Sequence, residues 1–161
     1  MRSELTKAIA LRNERKFQES NEILTELALK YPDDPEINYH CAWSFDVLGK
    51  ELEAVPYYEK AISQGLAGED LEGACIGLGS TYRVIGQYEK SREVLERGIR
   101  LFPANKAIQA FYSMTLFNTG QHDKAMELLL KSLVETSSDK NIQSYKKAIL
   151  FYSDKLEKTW I

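Results

Sequence analysis

LGSTYRVIGQYEKSREVLERGIRLFP, residues 78–103, decides the fold. Leu78 and Tyr82 before Gly86, and Leu95 and Ile99 after it, fall at the four-residue spacing of one helix face, and Pro103 marks the stop of the second stretch. The stretch therefore predicts two amphipathic helices joined at a glycine. A glycine in the same setting stands at Gly49 and Gly120, 37 and 34 residues away, and counting 34 back from Gly49 reaches Arg15. Recurrence at such a period is the mark of a stacked helical array, in which each hairpin buries its apolar faces against its neighbours.

Alignment on the marker gives columns of small residues. They lie seven before it (Ala8, Ala42, Gly79, Ser113), five after it (Ser20, Ala54, Ser91, Ala125) and twelve after it (Leu27, Ala61, Gly98, Ser132). Ala, Gly and Ser fill eleven of these twelve sites although they make up only 34 of the 161 residues. Short side chains are needed where paired helices approach to about 8–10 Å. Larger residues lie four before the marker (Leu11, Phe45, Tyr82, Leu116), nine after it (Leu24, Tyr58, Leu95, Leu129) and thirteen after it (Ala28, Ile62, Ile99, Leu133), forming one buried stripe per helix.

These units resemble tetratricopeptide repeats, the 34-residue helix-turn-helix family. Leu78, Gly79, Tyr82, Gly86, Tyr88, Leu95 and Pro103 suit the family pattern, and the first unit keeps Ala8, Phe17 and Pro32. Departures are the loss of the family's early tryptophan (Glu4, Asn38, Cys75, Gln109), Arg15 at a turn glycine, and Glu51 and His122 where an aromatic is usual. The resemblance implies an all-α fold: a right-handed superhelix of four hairpins (about 2–34, 35–68, 69–105 and 106–138) within a single domain. The arrangement also resembles small free-standing repeat proteins of Gram-positive bacteria, which implies a dimeric scaffold.

Helix pairs are predicted at 3–14 and 17–30, 35–48 and 51–64, 69–85 and 88–101, and 104–119 and 122–136. Asp34 before Pro35 is an N-cap signal, and Asn105 after Pro103 repeats it less completely. QGLAGED, residues 64–70, reads as a longer loop rather than a domain boundary. Over 139–160, the spacing of Ile142, Tyr145, Ile149, Tyr152 and Leu156, with Lys140, Lys146, Lys147, Lys155 and Lys158 between, predicts one final helix that caps the stack.

With 43% hydrophobic and 28% charged residues, the chain is predicted to be soluble. Charges interrupt the first residues too early for a signal peptide, and the cytoplasm is expected. The net charge of −3 and the acidic neighbours of the C-terminal lysines argue against nucleic-acid or membrane partners. Metal-spaced Cys or His pairs, a phosphate-binding loop and a nucleophile elbow are all missing, so neither an enzyme nor a cofactor is expected. Cys41 and Cys75 read as buried apolar residues, His122 as a packed structural histidine, and the glycines of GLGS (77–80) as sites of close helix approach.

The candidate site is the face formed by the first helix of each unit. The family's groove positions here are Leu5, Ile9 and Arg12; Tyr39, His40, Trp43 and Asp46; Ile76, Ser80 and Arg83; Phe111, Met114 and Phe117; Tyr145 and Phe151 extend them. Aromatics, Met and Arg are the types enriched in interface cores. One subgroup of the family grips a terminal carboxylate, but the corresponding positions hold Leu5, Ile9, His40, Gly73 and Gly77, so that clamp is absent. An apolar segment or helix is expected instead, oriented by Arg12, Asp46 and Arg83. Residues 1–80 carry 8 Lys plus Arg against 15 Asp plus Glu, net −7, and residues 81–161 carry 13 against 9, net +4. An antiparallel homodimer would pair the unlike halves. The chain thus reads as a protein- or peptide-binding scaffold, with a regulatory peptide sensor as the alternative.

Overall fold

The turns carry the strongest local signature. Gly49, Gly86 and Gly120 have φ of +69°, +79° and +75°, and Arg15 holds the equivalent place at +63°. The left-handed backbone ends one helix and redirects the chain into the next. The computed structural model describes all 161 residues and contains no strand. Its helices are α1 (Arg2–Asn13), α2 (Phe17–Lys30), α3 (Pro35–Asp46), α4 (Glu51–Ser63), α5 (Gly68–Val84), α6 (Tyr88–Leu101), α7 (Lys106–Asn118), α8 (His122–Thr136), α9 (Lys140–Ser144) and α10 (Lys146–Tyr152). They fall into two compact units, residues 1–91 and 92–161, whose boundary lies inside α6 and not at the QGLAGED loop.

In the first unit the small columns pack against one another as their spacing predicts. Ser20 donates to the Ala8 carbonyl and Ser91 to the Gly79 carbonyl, each at 2.7 Å, with all four residues buried. The five-after column therefore sits on the backbone of the seven-before column within a hairpin, and its hydroxyls find an acceptor in a dry interface. Beside this seam Leu5, Ala8, Leu24, Leu27, Ala28, Ile37 and Cys41 form an apolar cluster.

Three helix starts share a device of which the sequence showed only the caps at Asp34 and Asn105. Asp34, Asn105 and Asp139 cap α3, α7 and α9 by accepting from the amides of Ile37, Ile108 and Ile142. The next residue, Asn38, Gln109 or Gln143, turns its side-chain amide back to the carbonyl six residues earlier, at Pro32 (2.8 Å), Pro103 (3.1 Å) and Ser137 (2.7 Å). Asn38 and Gln109 thus fasten the incoming loop at positions where the family's tryptophan would pack. Since Gln143 lies 34 residues after Gln109, α9 begins as the first helix of a fifth unit.

The single final helix over 139–160 is not formed. The chain breaks at Tyr145, where Ser144 turns its hydroxyl onto the Asn141 carbonyl, and helix ends at Tyr152. Beyond it the tail folds back so that Trp160 lies 6.0 Å from Phe151 and 5.5 Å from Tyr152. Eight residues of continued helix would have carried Trp160 about 12 Å along the axis and prevented that cluster. The expected apolar stripe also divides: Ile142 and Ile149 are half-buried, while Tyr145, Tyr152 and Leu156 are exposed. With so short a helix following it, α8 leaves Leu129 and Leu133 exposed, although their columns are covered or half-covered in earlier units. No helix is long and apolar enough to cross a membrane.

Candidate functional site

In the first unit α3 contacts both α1 and α5, and it supplies most of the polar and aromatic groups. Tyr39, His40 and Trp43 project from consecutive turns of α3, with ring centroids 5.0 Å (Tyr39–His40), 5.9 Å (Tyr39–Trp43) and 6.3 Å (His40–Trp43) apart. Tyr39 and His40 are buried, whereas Trp43 remains 38% exposed. Arg12 of α1 places its guanidinium 3.5 Å over the Trp43 ring and donates through Nη1 to His40 Nδ1 at 3.3 Å. A guanidinium has donors only, so Nδ1 must be the lone-pair nitrogen and the ring proton sits on Nε2. Burial, and then the Arg12 charge, depress the His40 pKa to about 4, so the ring is neutral near pH 7.

Asp46, one turn further along α3, accepts from the Tyr58 hydroxyl at 2.7 Å and from Thr81 at 2.9 Å. It ties α4 and α5 to α3, and burial raises its pKa despite those two donors. Its observed role is therefore structural. Gly73 and Gly77 explain how α5 comes so close. A Cβ at Gly73 would stand 2.3 Å from the Tyr39 hydroxyl, and one at Gly77 2.3 Å from that of Tyr58. The glycines make room for tyrosine rings laid against α5. Ile76, Ser80 and Arg83 are half-buried on that helix, while Leu5 is absorbed into the core and Ile9 packs against it.

Asp70 and Glu36 were missed as neighbours. One ligand atom from each of Glu36, His40 and Asp70 lies within 4.8 Å of the others. Hydrophobic periodicity carries no signal for such a meeting of α3 with the start of α5. These are metal-binding residue types, but the His40 lone pair is directed at Arg12, Glu36 is held by Arg2, and a cationic guanidinium adjoins the ring. Together these features oppose a divalent cation.

In the second unit Phe111 is half-buried, and Met114, Phe117, Tyr145 and Phe151 are exposed, Tyr145 at 67%. The Phe117 and His122 rings lie 4.6 Å apart, tilted by 34°. His122 is exposed and not packed as expected, because it opens α8 at the hairpin turn rather than lying within the seam. A cleft of about 480 Å³ lined by residues including Arg92, Glu96, Tyr112 and Lys131 includes none of the predicted site residues. Cys41 and Cys75 are free and buried, and burial pushes the Cys41 thiol up to about 12.

Comparison with solved structures agrees with the helical hairpins. MamA residues 41 to the end from Desulfovibrio magneticus RS-1 aligns at a TM-score of 0.75 and 18% identity, over 94% of this chain and 88% of that one. YrrB, described as a TPR protein with an unusual peptide-binding site, aligns at 0.72 and 15%, over 95% and 80%. The Cut9–Hcn1 hetero-tetramer of the APC/C aligns at 0.75 and 14%, over 93% of this chain and 29% of that chain. At these identities the likeness concerns the fold. Among curated proteins none matches. The profile of the Tetratrico peptide repeat family does match, over residues 35–156, and with the marker turns, small-residue seam and paired helices it shows that the chain belongs to that family.

Proposed function

We propose that the protein is a non-catalytic interaction scaffold that binds a peptide or helix on the α1–α3–α5 face of its first unit. The observation that carries this reading is the Arg12–Tyr39–His40–Trp43 cluster: an ordered aromatic and cationic arrangement whose largest ring stays open to solvent. Aromatics and Arg act as interface anchors because they desolvate large area while retaining directional contacts. Ile76, Ser80 and Arg83 extend the same face along α5. Met114, Phe117 and Tyr145 offer the second unit an apolar surface of its own. Affinity capture from a native lysate, with wild type and a Trp43→Ala variant of unchanged helicity, tests the assignment. Loss of a defined set of partners is expected, and identical sets would refute it.

Self-association is the second reading, favoured by charge. The first unit carries 10 Lys plus Arg against 16 Asp plus Glu, net −6, and the second 11 against 8, net +3. An isologous pair that sets unlike units together is steered by this asymmetry. Sedimentation across a salt series should show a dimer at low ionic strength that weakens as salt rises. A monomer at micromolar concentration in low salt would eliminate it.

A further inference from the structure

Arg12 is a buried cation without an ion-pair partner; Asp70 is near enough to act on its charge but does not touch it. Its side chain is 6% exposed, and its partners are the Trp43 ring and the neutral His40. No carboxylate lies within ion-pair distance, whereas the half-buried Asp46, on the helix that carries His40 and Trp43, has two donors. Burying a charge is costly unless it is paired, and one long hydrogen bond with a cation–π contact is a thin return. Beside it the Tyr39 hydroxyl, also on a buried residue, donates to no protein acceptor. The His40 Nε2 proton, placed by the Arg12 bond, has no hydrogen-bonded acceptor either. Apart from the Arg12 bond to His40 Nδ1, the guanidinium, phenol and imidazole of this cluster therefore keep donors that no group of the fold accepts from by a hydrogen bond, although Glu36 and Asp70 stand near the imidazole.

Resting on the reading of this face as a peptide site, we propose that Arg12, with Tyr39 and His40, receives a side-chain carboxylate of a bound peptide, an Asp or Glu next to an apolar residue that covers Trp43. Placed over Trp43 with one Nη1 donor given to His40, the guanidinium keeps further N–H donors that a carboxylate can match. The acidic neighbours decide which anion fits. Glu36 is neutralised by Arg2, but Asp70 makes no ion pair, so a doubly charged phosphate meets more repulsion than a singly charged carboxylate. A chain terminus is disfavoured because the positions that would hold it in carboxylate-gripping relatives are the uncharged Leu5, Ile9, His40, Gly73 and Gly77.

Display selection of random peptides of about twelve residues against the full chain tests this, with one pool blocked at the C-terminus and another free. The blocked pool should enrich Asp or Glu at a single register beside an apolar residue. Changing that acid to its amide in a synthetic peptide should weaken binding about ten- to a hundredfold. An Arg12→Met variant of unchanged helicity should bind acid and amide forms equally. Enriched peptides with no fixed acid, an amide form that binds as well as the acid, or enrichment confined to free termini would overturn the carboxylate assignment while leaving the peptide site intact. Failure to enrich any peptide would overturn both. The acid-to-amide comparison uses wild-type protein, so it decides even if Arg12→Met fails to fold.

Discussion

Arg15 shows how one residue can depart from a repeat without altering its geometry. It keeps the left-handed turn at φ +63°, a conformation that costs a non-glycine residue about 1 kcal/mol. Arg15→Gly should therefore raise stability by about 0.5–1 kcal/mol, less than the full relief because glycine also gains freedom in the unfolded chain, and urea denaturation will measure it. His40 gives a pH dependence of definite sign. Its pKa falls from 6.5 to about 4 on folding, so its contribution is complete above pH 6.5 and is lost as pH drops towards 4, by about 3 kcal/mol at most. Asp46, whose carboxyl is pushed up by burial, acts in the opposite sense nearer the carboxylate range. Denaturation midpoints should fall between pH 7 and 5 in wild type, and much less in His40→Gln, whose amide oxygen still accepts from Arg12. The raised Cys41 thiol and complete burial of both cysteines predict no labelling by an aromatic disulfide reagent until the chain unfolds.

Among the elements, α5 sets packing against intrinsic propensity. Ala is favoured over Gly inside a helix by about 1 kcal/mol, so on propensity alone Gly77→Ala should stabilise. The new Cβ would, however, stand 2.3 Å from the hydroxyl and 2.5 Å from the ring carbon of Tyr58, a buried side chain held at its far end by Asp46. Overpacking of this kind costs about 1–3 kcal/mol, and the net effect expected from thermal denaturation is a loss. Gly79 belongs to a small-residue column and was legible by counting, whereas the partner of Gly77 was not, because nothing in α5 says that a tyrosine from α4 lies across it. The final segment failed for a related reason. Periodicity at Ile142, Tyr145, Ile149, Tyr152 and Leu156 is a statement about spacing, and it could not register Ser144 competing for a backbone carbonyl or Trp160 returning to Phe151.

At the scale of the whole molecule, the chain divides within α6 into two compact units. Contacts in a repeat array are mainly between neighbours, so destabilisation should remain local. Leu24→Ala removes a fully buried side chain of the first unit at a cost of about 2–5 kcal/mol. Hydrogen exchange should then accelerate in α1–α4 and stay near wild type in α7 and α8; uniform acceleration would show one cooperative domain instead. The sequence by itself determined the helical hairpins, the turn positions and the small-residue seam, because each is a local or periodic property that every unit restates. Only the tertiary structure decided that Arg12 lies on Trp43 beside a neutral His40, that Asp46 is consumed by Tyr58 and Thr81, and that Asp70 stands near His40. Those contacts join residues from different helices and occur once, and a repeat reports only what it repeats.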